Sequence, residues 1–303
     1  MQFAHSCHSC RSHDLIQESP HMEYSGKLHG KVALVAGATR GAGRGIACML
    51  GEAGATVYCT GRSVRGKPAT RNRPETIEQT AEMVTARGGN GIPVQVDHTD
   101  LDQVRALCEG IAQDQGRLDV LVNDLTGDAN MEFKPFETHS LEKGLKLLQN
   151  GSISHIITSY YCIPLMKKNG GLIVEVTDGV GDEIREFNFY YDLEKATNIR
   201  LACSLALQLK TYKIAVVALT PGYLRSEEML DHFGVAEDNW REAIKHDRNF
   251  AYSESPFYIG KAVVALACDK KVMQKSGKAL VSGKLAREYN FYDLDGTQPI
   301  WAY

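Results

Sequence analysis

Three glycines set between an apolar run and a helix-like segment constrain this chain more than any other feature. The run Val32-Ala-Leu-Val-Ala36 leads into Gly37-Ala-Thr-Arg-Gly-Ala-Gly-Arg-Gly-Ile-Ala47, and Ile46-Ala-Cys-Met-Leu50 continues as a helical pattern. Strand, glycine-rich turn and helix is the arrangement in which backbone N–H groups and a helix N-terminus hold a pyrophosphate. Gly37 permits the tight turn, and Gly41 and Gly43 carry no side chain to block a ligand lying close to the backbone. Their spacing is G-x-x-x-G-x-G, not the commoner G-x-G-x-x-G.

From Lys31 onward, apolar runs alternate with helical patterns. Candidate strands fall at 32–36, 56–60, 92–96, 120–123, 172–176, 214–219 and 279–281. Candidate helices fall near 42–53, 75–87, 100–114, 137–168, 189–210 and 255–268. Several strands are continuous Val/Ile/Leu/Ala runs, as a parallel sheet covered on both faces requires. The alternation predicts one doubly wound α/β domain over residues 28–303, with a mostly parallel seven-stranded sheet. Two connections are unusually long: 61–74, which is basic, and 222–254, which is polar with aromatics and reads as a substrate-loop insertion. Both would lie at the carboxyl ends of strands, where such sheets bind ligands.

The 303 residues carry a formal charge of −3, with 43% apolar and 23% charged residues. That balance gives no argument for nucleic acid or a membrane surface, and no apolar stretch is long enough to span a bilayer. Six of the eight cysteines sit in apolar segments and read as buried reduced thiols, which points to the cytoplasm. Cys7 and Cys10 form a C-x-x-C without a second ligand pair, so no metal site is expected. Residues 1–27 read as a polar, disordered leader, within which Met22 is a candidate start.

Tyr191-Asp-Leu-Glu-Lys195 opens a helical pattern after the fifth strand. At i, i+4 the two side chains share one helical face. An ammonium beside a phenol lowers the phenol's pKa from about 10 toward neutrality, which makes Tyr191 a candidate proton donor to a carbonyl oxygen.

With these residues in this order, the chain resembles a short-chain dehydrogenase/reductase over roughly residues 28–285, a family with a Rossmann-type fold. The resemblance maps the family's glycine motif onto Gly37, Gly41 and Gly43, flanked by Thr39, and its adenine-contacting acid onto Asp97. Asn123 takes the first place of the family's N-N-A-G, and Asn150 the helix asparagine of the catalytic tetrad. Tyr191 and Lys195 take the catalytic pair, and Pro221-Gly222 the turn beside the nicotinamide. A homodimer or homotetramer is implied, with helices 137–168 and 189–210 at the interface.

Two places depart from the family pattern. Its N-N-A-G reads Asn123-Asp-Leu-Thr126, and the position of its catalytic serine holds Asp178, preceded by Thr177. A carboxylate cannot donate the hydrogen bond that the serine gives, and it repels a developing alkoxide. Either Asp178 is protonated, or Thr177 supplies the hydroxyl, or the chemistry is altered. Cofactor choice is read from the second strand, which ends in Gly61 where an NAD-binding enzyme usually has an acid. Arg40 and Arg62, with Ser63 beside them, suit a ribose 2′-phosphate, so the expected cofactor is NADP(H).

The expectation is therefore an NADP(H)-dependent oxidoreductase acting on a carbonyl or alcohol of a largely apolar small molecule. The rivals are a catalytically silent NADPH-binding protein and a reductase of an imine or enone. The substrate pocket should draw on 124–134, 179–190 and 222–254, with Phe187, Phe189, Tyr190, Tyr223, Phe233 and Trp240 as pocket wall or lid packing. His232, His246 and Arg225 read as surface residues.

Overall fold

The computed structural model describes residues 24–69, 73–181, 184 and 188–301. The leader, its Cys7 and Cys10, and Phe187 lie outside the described residues. Seven strands follow one another as β1 (Val32–Ala36), β2 (Thr56–Gly61), β3 (Asn90–Gln95), β4 (Val120–Asn123), β5 (Gly171–Val176), β6 (Ile214–Thr220) and β7 (Ala279–Val281). They form one sheet in the order β3-β2-β1-β4-β5-β6-β7, and every pairing in it is parallel. The expected α/β class therefore holds, with a fully parallel sheet.

Nine α-helices among the described residues connect the strands: α1 (Gly41–Glu52), α2 (Ile77–Ala86), α3 (Leu101–Gln115), α4 (Leu141–Leu148), α5 (Ser154–Met166), α6 (Phe189–Leu209), α7 (Glu227–Phe233), α8 (Pro256–Cys268) and α9 (Ser282–Tyr289). Side chains alternate across each strand, so β1 feeds two cores. Ala33 and Val35 pack with Ile46 and Leu50 of α1 and Ile259 and Val263 of α8. Val32 and Leu34 pack with Val104 and Ile111 of α3 and Cys162 and Met166 of α5. Both faces are covered, which explains why the strands read as unbroken apolar runs.

Local chemistry fixes several helix ends. The Thr76 hydroxyl accepts from the Gln79 N–H, and the Asp100 carboxylate accepts from the N–H groups of Asp102 and Gln103. Gly116, at φ 68°, closes α3 in the left-handed region. Two differences from the sequence reading stand out. The continuous helix expected over 137–168 is broken by a π-turn at Gln149–Ile153, between α4 and α5. The 222–254 connection is not a bare loop, because Ser226 caps α7 and Glu227 and Glu228 fill its first turn. No helix among the described residues is long and apolar enough to cross a membrane.

Candidate active site

Strand order reverses between β1 and β4, and at the carboxyl ends of the strands there opens a cavity of about 930 Å³. Gly37 turns the chain out of β1 at φ 94°, and a side chain there would stand 2.2 Å from the Asp124 carbonyl oxygen. A Cβ on Gly43 would stand 2.4 Å from the Gly37 carbonyl oxygen. The loop is thus closed too tightly for any residue but glycine at these two positions. Of the residues singled out in the sequence, Gly37, Thr39, Arg40, Gly41, Arg62, Ser63, Asp97, Asn150, Thr177, Asp178, Tyr191, Lys195, Pro221 and Gly222 all line the cavity. Gly43 and Asn123 stand behind its wall.

At one end lie the two arginines. Arg40 pairs loosely with Glu75 at 3.9 Å, and Arg62 with Asp97 at 3.9 Å. Both contacts are long enough to leave the guanidinium donors open to a stronger anion. Burial pulls the Arg40 pKa down, against the attraction of Glu75. Burial opposes ionisation of Asp97, yet hydrogen bonds from Thr99 and the charge of Arg62 hold its carboxyl below the ordinary range.

At the other end, α6 presents Tyr191 and Lys195 one turn apart. The Tyr191 hydroxyl donates to Asp178 Oδ2 at 3.0 Å, and Lys195 Nζ lies 4.8 Å from the centroid of the Tyr191 ring. Lys195 Nζ donates to Glu194 Oε1 at 2.8 Å and sits 3.8 Å from Asp128 Oδ1. The Thr177 hydroxyl donates to the Lys195 carbonyl oxygen at 3.0 Å. Its proton is thereby committed to the backbone, and of the two candidates it is Asp178 that touches Tyr191. Asn150 sits on the π-turn with its Oδ1 buried and lacking a protein partner. Such bulges re-aim side chains at functional sites.

The electrostatics correct one sequence expectation. Lys195 does favour the phenolate, but burial, Asp178 and Asp128 outweigh it and hold the Tyr191 pKa well above the usual tyrosine value. The Tyr191 hydroxyl therefore keeps its proton. Burial disfavours the Lys195 ammonium, but Glu194 and Asp128 more than compensate and keep it charged. Burial raises the Glu194 pKa, with Lys195 pulling the other way.

Sequence reading missed several of these groups. Glu194 is fully buried against the π-turn, where a Cβ on Gly151 would stand 2.1 Å from its Cδ. Beneath the cavity, Asn123 Nδ2 donates to Glu175 Oε1 at 3.0 Å, and His155 Nδ1 meets Glu175 Oε2 at 2.6 Å. Glu254 holds the turn after β6 by accepting from the Gly222 N–H at 2.9 Å. Glu227 reaches back to accept from the Gly41 N–H at 2.7 Å. Arg225 is not at the surface: it is 1% exposed, bonded to Ser253 and Glu237, and stacked 4.2 Å over Trp240. Phe233, Trp240 and Phe250 form a separate cluster, Tyr190 packs on Phe136, and Tyr223 and Trp301 reach the cavity wall.

Asp124 carries a testable consequence. Its Oδ2 accepts from the Gly43 N–H at 2.5 Å, and burial pushes its pKa up to about 7 against that bond. A carboxyl raised from 3.8 in this way favours the fold most below its unfolded value, and that support is lost as the pH climbs through about 7. Asp124→Asn removes this component, worth on the order of a few kcal/mol. The expected result is a melting temperature that declines less steeply than wild type between about pH 4 and 7. Parallel melting curves across that range would remove Asp124 as a titrating group.

The short chain dehydrogenase family model matches residues 31–234. Dehydrogenase/reductase SDR family member 1 of Mus musculus is 34% identical over 283 residues, which is 91% of this chain and 87% of that protein. The Homo sapiens protein of the same name is 34% identical over 282 residues, with the same coverage. Among solved structures, a short chain dehydrogenase from Mycobacterium thermoresistibile gives a TM-score of 0.76 at 21% identity, covering 91% of this chain and 95% of that one. Hydroxysteroid dehydrogenase from Escherichia coli gives 0.68 at 22% identity, covering 84% and 96%. These structural likenesses speak for the fold, and their sheet-and-helix frame is the one described above. With a family model matched over more than half its length and a relative aligned along 91% of it, this chain belongs to the short-chain dehydrogenases, a family of nicotinamide-dependent oxidoreductases.

Proposed function

We propose that the protein is an NADP(H)-dependent oxidoreductase that moves hydride between nicotinamide and a carbonyl carbon, or its nitrogen analogue, of a largely apolar small molecule. One observation carries the reading: a single cavity has Arg40 and Arg62 at one end and Tyr191, Lys195 and Asn150 at the other. The glycine turn, the α1 N-terminus and the cavity volume suit a dinucleotide. Arg40 and Arg62 would take the 2′-phosphate, with Thr39 and Ser63 beside them and Asp97 toward the adenine. Pro221-Gly222 would flank the nicotinamide, which supplies the hydride when bound.

The protein's own groups do the rest. Tyr191 donates its hydroxyl proton to the substrate heteroatom, or accepts one in the reverse direction. Lys195 holds positive charge beneath the tyrosine ring and is positioned by Glu194. Asn150, on the π-turn, orders a water that returns the proton to Tyr191. Thr177 anchors the Lys195 backbone. We also propose a homodimer or homotetramer, readable by light scattering. Supporting it, Leu145, Ile156, Tyr160 and Leu207 leave apolar side chains 43–82% exposed along α4, α5 and α6.

The test is cofactor choice. Wild type is expected to bind NADPH at least about tenfold more tightly than NADH. Arg40→Ala and Arg62→Ala should each weaken NADPH binding by roughly 10- to 100-fold while leaving NADH within about threefold, since a charge-assisted bond is worth about 1.5–3 kcal/mol. Equal affinity of wild type for the two cofactors would refute the NADP(H) assignment.

A further inference from the structure

We infer that Glu227 is an internal competitor for the cofactor: its carboxylate holds the anion position at the N-terminus of α1 that the pyrophosphate would take. The inference rests on the dinucleotide-binding reading above and adds the regulation of that same site.

The first support is the position itself. Gly41 opens α1, so its N–H is among the donors that a helix leaves without an internal partner. It lines the cavity and shares the partial positive charge of the helix end. Glu227 Oε2 accepts from that N–H at 2.7 Å, and Glu227 Oε1 lies 3.4 Å from Arg44 Nη1. Arg44 is buried and held in place. Its Nε donates to the Thr39 carbonyl and the Thr80 hydroxyl, and its Nη2 to Gln79 Oε1. A backbone N–H, a helix end and a fixed guanidinium thus converge on one anion. A phosphate bound at Gly41 would need the proton that Glu227 now receives.

The second support is the element that carries Glu227. It opens α7, in the long connection after β6, 186 residues along the chain from Gly41. A Cβ on Gly41 would stand 3.7 Å from Ser226 Cβ and 3.9 Å from Leu224 Cδ2, so this connection rests on the glycine turn. One helical turn beyond Glu227, Asp231 Oδ2 accepts from Arg73 Nη2 at 2.8 Å. The acidic face of α7 is latched onto basic groups at the end of the cavity where the phosphates would lie.

A latch of this kind taxes binding without abolishing it. Apparent affinity is the intrinsic affinity multiplied by the fraction of molecules in which the position is free. A pyrophosphate carries more negative charge than one carboxylate and displaces it. Glu227 is only partly buried, so a short movement returns its carboxylate to water. The pyrophosphate is common to NADPH and NADH, so Glu227 lowers the affinity for both. Arg40 and Arg62, by contrast, separate the two cofactors.

The test is calorimetry of cofactor binding with no substrate present. Glu227→Gln should bind NADPH about five- to twentyfold more tightly than wild type, and NADH more tightly by a similar factor. Glu227→Asp keeps the charge in the first turn of α7 but ends one methylene short, and should tighten both in the same direction. If Glu227→Gln does not fold, the aspartate variant decides alone. Glu242→Gln makes the same charge change at an exposed position of the same connection and should stay within about twofold of wild type. The rise in melting temperature on adding NADPH should grow by roughly 2–6 °C in Glu227→Gln. Unchanged or weaker binding of both cofactors by the Glu227 variants would overturn the inference and leave the cofactor reading standing. So would equal tightening in Glu242→Gln, which would make the effect one of overall charge, or tightening confined to NADPH, which would place Glu227 against the 2′-phosphate. A wild type that binds neither NADPH nor NADH would overturn both readings.

Discussion

Replacement of Tyr191 by phenylalanine is expected to lower kcat by about 10²- to 10⁴-fold, the range for loss of a positioned proton donor. NADPH affinity should change by less than about twofold, because the hydroxyl points at Asp178 and the ring keeps its place over Lys195. The substitution leaves Asp178 Oδ2 without this donor, so a stability loss of about 1–3 kcal/mol accompanies the rate effect and thermal unfolding must be measured beside it. The pH profile adds a second readout. Burial and Asp178 hold the Tyr191 proton well above the ordinary tyrosine range, so the rate of reduction should stay flat through neutrality and fall only in strongly basic solution. A profile falling near pH 7 would mean that a different group delivers the proton. An unchanged kcat in Tyr191→Phe would take Tyr191 out of the chemistry and favour a silent, cofactor-binding protein.

What the sequence made legible follows from the range of the interactions. β1, β4 and β7 were readable to the residue, because their apolar runs are cut by punctuation within the same stretch. The glycine loop was readable because Gly37 turns the chain at φ 94° and Gly43 packs on the Gly37 carbonyl six residues back, although the close approach of Asp124 to both is a long-range contact. The break at Gln149–Ile153 was not, since apolar periodicity runs through it. Within that turn Gly151 lies against Glu194, 43 residues on, a contact that no local pattern encodes. Arg225 could not be placed for a similar reason: its partners Ser253 and Asp293 are 28 and 68 residues distant. Lysine at i+4 from tyrosine was a correct local inference about neighbours. The direction of the tyrosine's pKa was set instead by Asp178 and by burial, neither of which the helix itself encodes. The α7 and α9 helices are misses that did carry a local signal: Ser226 followed by two glutamates at the start of α7, and Asn290 closing α9 in the left-handed region.

Lys195→Met carries the largest expected effect on stability, because it removes charge without emptying space. Glu194 is fully buried, its Oε1 is met by Lys195 at 2.8 Å, and its Oε2 has no hydrogen-bond partner. Truncating one member of a buried pair strands the other, at a cost of about 3–5 kcal/mol. At roughly 2–4 °C per kcal/mol, the melting temperature should fall by roughly 10 °C. The stranded carboxyl offers its own diagnostic. Burial already raises the Glu194 pKa, and the loss of Lys195 removes the group that lowers it. The folded protein then prefers the protonated acid, so the deficit is smallest below the ordinary carboxyl range and widens as the pH rises toward neutrality and beyond. Adding Glu194→Gln should restore most of the melting temperature and flatten that pH dependence, since a buried amide needs no counter-charge. It should not restore turnover, because the ammonium beneath Tyr191 is still missing. A double variant as unstable as Lys195→Met would show that Lys195 supports the fold through packing and not through Glu194. A double variant with wild-type turnover would show that the ammonium has no part in the chemistry at Tyr191.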